Sequence, residues 1–211
     1  MKYQLVIFDM DGTLADTSPG IIRCHQYAHQ MMGRALPEET VLRKVIGGPL
    51  LDTYRTRFGF SEEDAQRTVA CYRQRYAEKG IYEAELYPGM KETLEALRKR
   101  GFLLGIATLK AERFAKEMVR DLGVFDCFDV IFGMDDRDQR SKAELVRLCM
   151  KTLGAARENT VLVGDSIHDW KGAQEAQVDF IGVTYGFGLR EGARPEGIIL
   201  CHSPAELPQT L

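Results

Sequence analysis

The chain has 211 residues, 45% of them hydrophobic, and a net charge of −3. That is enough apolar material for one domain with a sizeable insertion, and a charge balance that invites neither nucleic acid nor an anionic membrane. The five cysteines (Cys24, Cys71, Cys127, Cys149, Cys201) are scattered and never form a C-x-x-C pair, which argues against a disulfide framework or a zinc site and fits a reducing compartment. No apolar run reaches membrane length and the first strand begins within a few residues of Met1, so the expectation is a cytoplasmic protein without a signal peptide.

In chain order, Leu5, Val6, Ile7 and Phe8 form a continuous apolar run, the pattern of a strand buried on both faces. The run stops on Asp9, followed by Asp11 and Gly12. Two carboxylates delivered at the C-terminal end of a buried parallel strand lie where open α/β sheets bind ligands. Held close, they need a cation or a shared proton. A calcium loop of the EF-hand type is excluded, because the glycine falls fourth rather than sixth and the twelfth residue is Gly20.

Thr17, Ser18 and Pro19 predict a helix start with a capping hydroxyl, and Ile21, His25, Ala28 and Met32 share its apolar face. His25 and His29 are four apart, but Gln26 stands where a zinc protease motif needs glutamate. They read as packed core histidines. A second helical pattern (Val41, Leu42, Val45, Ile46) stops at Gly47-Gly48-Pro49, and a third carries Leu50, Leu51, Tyr54 and Phe58. A fourth opens with Ser61-Glu62-Glu63-Asp64 and continues through Ala65, Val69, Tyr72 and Tyr76. Residues 16–87 hold ten Lys/Arg and ten Asp/Glu and no convincing strand. This segment is expected to be an inserted, all-helical domain.

From Pro88 onward helices alternate with apolar strands. Predicted strands are Phe102–Ala107 ending on Thr108, Val130–Phe132, Val161–Val163 leading through Gly164 into Asp165, Phe180–Val183 and Ile198–Leu200. Lys142 opens the helix that buries Leu145 and Leu148, and a glycine-rich loop (Gly186, Gly188, Gly192) precedes the last strand. Such alternation implies right-handed crossovers. The predicted fold is α/β, a Rossmann-like parallel sheet flanked by helices, with residues 1–15 and 88–211 as the core domain and 16–87 as the insertion.

Three strands thus end on chemically useful residues: Asp9 with Asp11, Thr108, and Asp165. Each has a plain alternative. Thr108 could cap the next helix, Lys142 could be a solvated charge and Asp165 a turn residue. Their occurrence in order, each after the expected element, favours an enzyme. Carboxylates without histidine or cysteine partners suit a hard cation, with Mg²⁺ the natural choice. A lysine, a hydroxyl and backbone amides complement a phosphate dianion. Neither a Walker loop nor a dinucleotide fingerprint is present.

Asp9-Met10-Asp11-Gly12-Thr13 resembles the first motif of the haloacid dehalogenase-like superfamily in its phosphatase form. The resemblance implies Asp9 as nucleophile and Asp11 as general acid/base; the dehalogenases lack the second aspartate, so Asp11 argues for phosphoryl rather than halide chemistry. Thr108 resembles the second motif, Lys142 the third, and Gly164-Asp165-Ser166-Ile167-His168-Asp169 the fourth. This implies Thr108 and Lys142 on phosphate, Mg²⁺ on Asp9, the Asp11 main-chain carbonyl and Asp165, and Asp169 beside them. The helical insertion resembles the family's small α-helical cap, and Val183–Gly188 is similar to a run in phosphoglycolate phosphatase-like members and 5′-nucleotidases. Leu109 replaces the usual polar residue after Thr108, and Ala143 follows Lys142 where proline is common.

The implied function is Mg²⁺-dependent hydrolysis of a small phosphorylated metabolite, phosphoglycolate or a nucleoside 5′-monophosphate, through an aspartyl-phosphate. The alternatives are a phosphomutase and a non-catalytic sensor of a phosphometabolite, the latter disfavoured because none of Asp9, Asp11, Lys142 and Asp165 is missing. Selectivity is expected from the cap, at the Gly47-Gly48-Pro49 turn with Arg43 and Lys44 as cationic contacts. Oligomeric state has no signature in the sequence.

Overall fold

Apolar runs too short for helices and rich in β-branched residues become strands buried on both faces. The computed structural model describes residues 2–135, 140–189 and 195–211; Gly192 of the predicted glycine-rich loop lies outside them. The chain opens with β1 (Leu5–Phe8), all four residues buried, and the two-residue β2 (Ala15–Asp16). A helical stretch follows: α1 (Ser18–Met31), α2 (Glu39–Leu42), α3 (Leu50–Asp52) and α4 (Glu62–Glu78). The chain returns through β3 (Glu85–Leu86), α5 (Met90–Lys99), β4 (Leu103–Ala111), α6 (Glu112–Asp121) and β5 (Val130–Met134). It ends with α7 (Lys142–Leu153), β6 (Thr160–Gly164), α8 (Ile167–Ala176), β7 (Asp179–Val183), β8 (Ile199–Cys201) and α9 (Leu207–Thr210).

Two compact units result, one of Met1–Asp16 with Glu85–Leu211 and one of Thr17–Ala84. In the first, six parallel strands lie in the order β5-β4-β1-β6-β7-β8. Strand β1 is central, paired on one side with β4 and on the other with β6, so that Phe8 has Ile106 and Val163 as neighbours. The chain builds outward through β4 to β5, then crosses back to β6 on the opposite side of β1. That reversal is a topological switch point, where the strand ends part to leave a crevice. Helix α7 closes one face of the sheet: Ala143, Leu145, Val146 and Cys149 are fully buried in one cluster with Leu5, Ile7 and Leu162. Burial of each Leu, Ile or Val side chain in this cluster contributes roughly 1.5–3 kcal/mol.

The second unit is helical, built on α1 against α4. Its centre is aromatic. His25 and His29 are buried among Tyr54, Phe58, Phe60 and Tyr72, with ring centroids 4.7–6.3 Å apart in the histidine pairs. His25 Nδ1 pairs with the Tyr54 hydroxyl at 2.9 Å, and His29 Nδ1 donates to the His25 carbonyl oxygen at 2.9 Å. Burial and the neighbouring His29 push His25 down to about 4. Both are core residues.

Several local expectations are corrected. Thr17 makes no side-chain cap: its backbone (φ −97°, ψ 1°) is not the extended one that aims a hydroxyl at the first turn, and its Oγ1 is buried without a hydrogen bond. The helix expected around Val41 is one short turn continued by a 3₁₀ turn at Arg43–Val45, with Leu42 buried and Val41 exposed. The third pattern is a single turn that widens into a π turn over Thr53–Arg57. Residues 16–87 do contain extended chain, since β2 and β3 pair antiparallel where the chain leaves and re-enters the α/β unit. Strand β4 does not stop before Thr108 but continues to Ala111 past a register shift.

Candidate active site

Strand β1 lies between β4 and β6, and the carboxylates that follow β1 and β6 converge. Asp9 continues β1 by donating its amide to the Val163 carbonyl oxygen at 2.9 Å. Asp165 follows β6 directly, and Asp169 stands four residues on, in the first turn of α8. Asp9, Asp165 and Asp169 are all buried, and each places a carboxylate oxygen within 4.8 Å of the others.

A single lysine organises this acidic group. Ser141 caps α7 in a reciprocal capping box with Glu144, which directs the first helical residue, Lys142, into the sheet. The Lys142 Nζ donates to Asp9 Oδ1 at 2.6 Å, to Asp169 Oδ1 at 2.7 Å and to the Ala107 carbonyl oxygen at 2.9 Å. All three ammonium protons are thus engaged. Asp169 is fixed from its other oxygen, since Oδ2 accepts from the Ser166 hydroxyl at 2.5 Å and the Ser166 amide at 3.1 Å. One residue therefore serves both as the capping partner of α8 and as a wall of the site.

The electrostatics follow from burial. Asp9 is pushed up to about 7, chiefly by desolvation, with Lys142 opposing and Asp169 and Asp11 adding to the rise. Asp165 is pushed up to about 8 by desolvation and by Asp169 and Asp9, against the amides of Phe187 and Gly188. Burial lowers Lys142, but the Asp169 and Asp9 carboxylates more than offset it and hold the ammonium charged. Three buried carboxylates with one lysine leave negative charge that a hard divalent cation would neutralise. The donors are all oxygen, so the residues present fit Mg²⁺.

Asp11 lies apart from this group. Its Oδ1 is 3.0 Å from Lys110 Nζ, in a geometry that makes no directed hydrogen bond. Thr108 is buried, and its Oγ1 accepts from the Lys110 amide at 3.2 Å. Leu109 points outward. The other candidates, Arg43, Lys44, Gly47 and Gly48, belong to the helical unit. Arg43 is tied to Glu39 (2.7 and 2.8 Å) and to the Ser18 hydroxyl (3.3 Å), and Lys44 is exposed. Gly47 has φ +83° and open space around it.

Sequence reasoning missed Lys110. The strand expected to end on Thr108 runs on to Ala111, and alternation in a strand places residues 108 and 110 on one face; no apolar pattern after Ala107 announces that extension.

A family model for haloacid dehalogenase-like hydrolases matches residues 6–183. The chain is 38% identical over 195 residues to a 5′-nucleotidase of Pseudomonas aeruginosa, covering 92% of this chain and 88% of that one. It is 34% identical over 186 residues to the tyrosine-protein kinase PtkA of Mycobacterium tuberculosis, covering 88% of this chain and 63% of the other. The crystal structure of a predicted phosphatase from Clostridium acetobutylicum superimposes with a TM-score of 0.90 at 30% identity, over 100% of this chain and 98% of that one.

Proposed function

From the premise that the chain belongs to the haloacid dehalogenase-like hydrolases, we propose that it is a Mg²⁺-dependent phosphatase acting on small phosphomonoesters through an aspartyl-phosphate. The observation that carries this reading is the Lys142 ammonium bridging Asp9 and Asp169 beside Asp165. Asp9 is the nucleophile. Its carboxylate attacks phosphorus in line while the bond to the leaving oxygen breaks, and Asp11 gives that oxygen a proton. Asp11 then takes a proton from water, the water oxygen attacks phosphorus, and the bond to Asp9 breaks to release phosphate.

Lys142 orients the Asp9 carboxylate and adds positive charge where the phosphoryl oxygens gather it, and Thr108 supports the phosphate from β4. Asp9, Asp165 and the Asp11 carbonyl would hold Mg²⁺, with Asp169 beside them. When bound, the ion supplies Lewis-acid neutralisation of the nucleophile and the phosphoryl group. The helical unit is the cap that reads the leaving group.

The likeness to the Pseudomonas 5′-nucleotidase favours nucleoside 5′-monophosphates as the first substrates to test, with phosphoglycolate beside them. A second reading, transfer to an acceptor hydroxyl rather than to water, has the likeness to PtkA in its favour. Phosphate release by the purified protein across a panel of esters, with Mg²⁺ and with excess EDTA, tests the proposal. The expected result is turnover of several esters that vanishes in chelator and returns with Mg²⁺. Full turnover in EDTA would remove the metal. Loss of substrate without release of inorganic phosphate would favour the transferase.

A further inference from the structure

The loop after β7 reaches back to the site through its backbone. The Phe187 amide donates to Asp165 Oδ2 at 2.6 Å, and the Gly188 amide donates to the same oxygen at 3.2 Å. Successive amides aimed at one anion form a nest, and two N–H donors occupy both lone-pair directions of Oδ2. Glycine makes the approach possible. A Cβ on Gly186 would stand 2.2 Å from the Gly12 carbonyl oxygen and 2.5 Å from Asp165 Oδ2, and one on Gly188 2.8 Å from the Asp165 carbonyl oxygen. A Cβ on Gly12 would likewise stand 2.3 Å from Asp165 Oδ2. Two stretches of bare backbone lie close against the carboxylate. The Tyr185 hydroxyl, donating to the Thr13 carbonyl oxygen at 3.1 Å, ties the start of the loop to the turn after β1.

We infer that Gly186–Gly188 is a positioning element of the metal site, whose amides hold Asp165 by Oδ2 and leave Oδ1 as the single oxygen offered to a cation, favouring Mg²⁺ over Ca²⁺. The inference rests on the metal-assisted reading above. Mg²⁺ demands a near-ideal octahedron with one oxygen from each carboxylate, whereas Ca²⁺ gathers a larger, looser shell in which carboxylates often give both oxygens. With Oδ2 committed to the nest, Asp165 cannot bind in the bidentate manner that suits the larger ion. A carboxylate free to swing would serve both. The loop therefore acts on discrimination as well as affinity, and it does so without contributing a ligand.

Calorimetric titration of the full chain with Mg²⁺ alone and with Ca²⁺ alone tests this in wild type and Gly186→Ala. Loss of an outer partner of a metal ligand weakens binding by about tenfold to a hundredfold. Gly186→Ala is expected to lose Mg²⁺ affinity in that range and Ca²⁺ affinity by less, so that the preference for Mg²⁺ narrows. A folded Gly186→Ala with wild-type affinity and preference would overturn the inference and leave the metal reading intact. A wild-type protein that binds neither ion would overturn both.

Should Gly186→Ala fail to fold, amide hydrogen exchange in the metal-free protein provides the test. In Asp165→Ala, exchange at Phe187 and Gly188 should quicken by about tenfold or more, the loss of a buried hydrogen bond, while the amides of β6 keep their protection. Unchanged exchange at both positions would overturn the nest.

Discussion

Each proton of the Lys142 ammonium has a buried acceptor, and two of the three acceptors are carboxylates. Removing that lysine leaves Asp9 and Asp169 without their common counter-charge, and breaking one half of a buried pair costs about 3–5 kcal/mol. Lys142→Met should therefore lower the melting temperature of the metal-free protein and depress turnover of every ester alike. Unchanged melting would show that the bridge carries no stability.

The same burial makes a pH prediction. Asp9 and Asp165 are held up to about 7 and about 8, whereas an unfolded aspartate titrates near about 3.9. Between those limits the native state binds protons that the unfolded chain has released. The stability these groups contribute is fully present below the unfolded value and is lost as pH rises through about 7 to about 8. Metal-free protein should melt progressively lower across that window. Saturating Mg²⁺ should flatten the loss, because binding is stronger once the carboxyls are deprotonated. Melting temperatures that rise over this window without metal would contradict the assignment.

At the scale of single elements, the geometry of the acidic group depends on how two helices begin. Ser166 caps α8 and holds Asp169 by its hydroxyl. Ser166→Ala should destabilise by about 0.5–2 kcal/mol, the usual worth of a cap, and lower kcat more than it raises KM, because Asp169 would lose its fixed rotamer. Equal kinetics in a destabilised variant would confine Ser166 to capping.

The elements also show what could be read from the sequence. The apolar runs before Asp9 and Asp165 announced β1 and β6 because a strand buried on both faces has no polar alternation to obscure it. Asp169 was legible only through the resemblance of Gly164–Asp169 to the family's fourth motif. The extension of β4 was not, since Thr108 to Ala111 lacks apolar character and departs from regular pairing at a register shift. With that extension went Lys110, the buried cation beside Asp11. The turns near Gly47 were overestimated as full helices. Propensity alone does not show that Gly47-Gly48-Pro49 leaves each neighbouring pattern only a turn or so of chain.

At the scale of the molecule, the α/β unit holds Asp9, Asp165, Asp169 and Lys142, and the helical unit holds Gly47. We propose that the helical unit reads the remainder of the ester near Gly47, whose left-handed backbone stands in open space. Gly47→Leu should alter the ranking of esters and lower melting by a few degrees, the strain of a side chain in left-handed backbone, whereas Lys142→Met should depress every ester alike. Identical relative rates across the panel would place the reader elsewhere.

If Asp9 carries the phosphoryl group, acid-quench mass spectrometry during turnover detects it. Asp11→Asn should hydrolyse esters slower by about a hundredfold to ten-thousandfold, the worth of a positioned acid/base, and should accumulate one phosphoryl group on the peptide containing Asp9. Asp9→Asn should show neither turnover nor label. Wild-type hydrolysis by Asp9→Asn, or label on any other residue, would contradict the account.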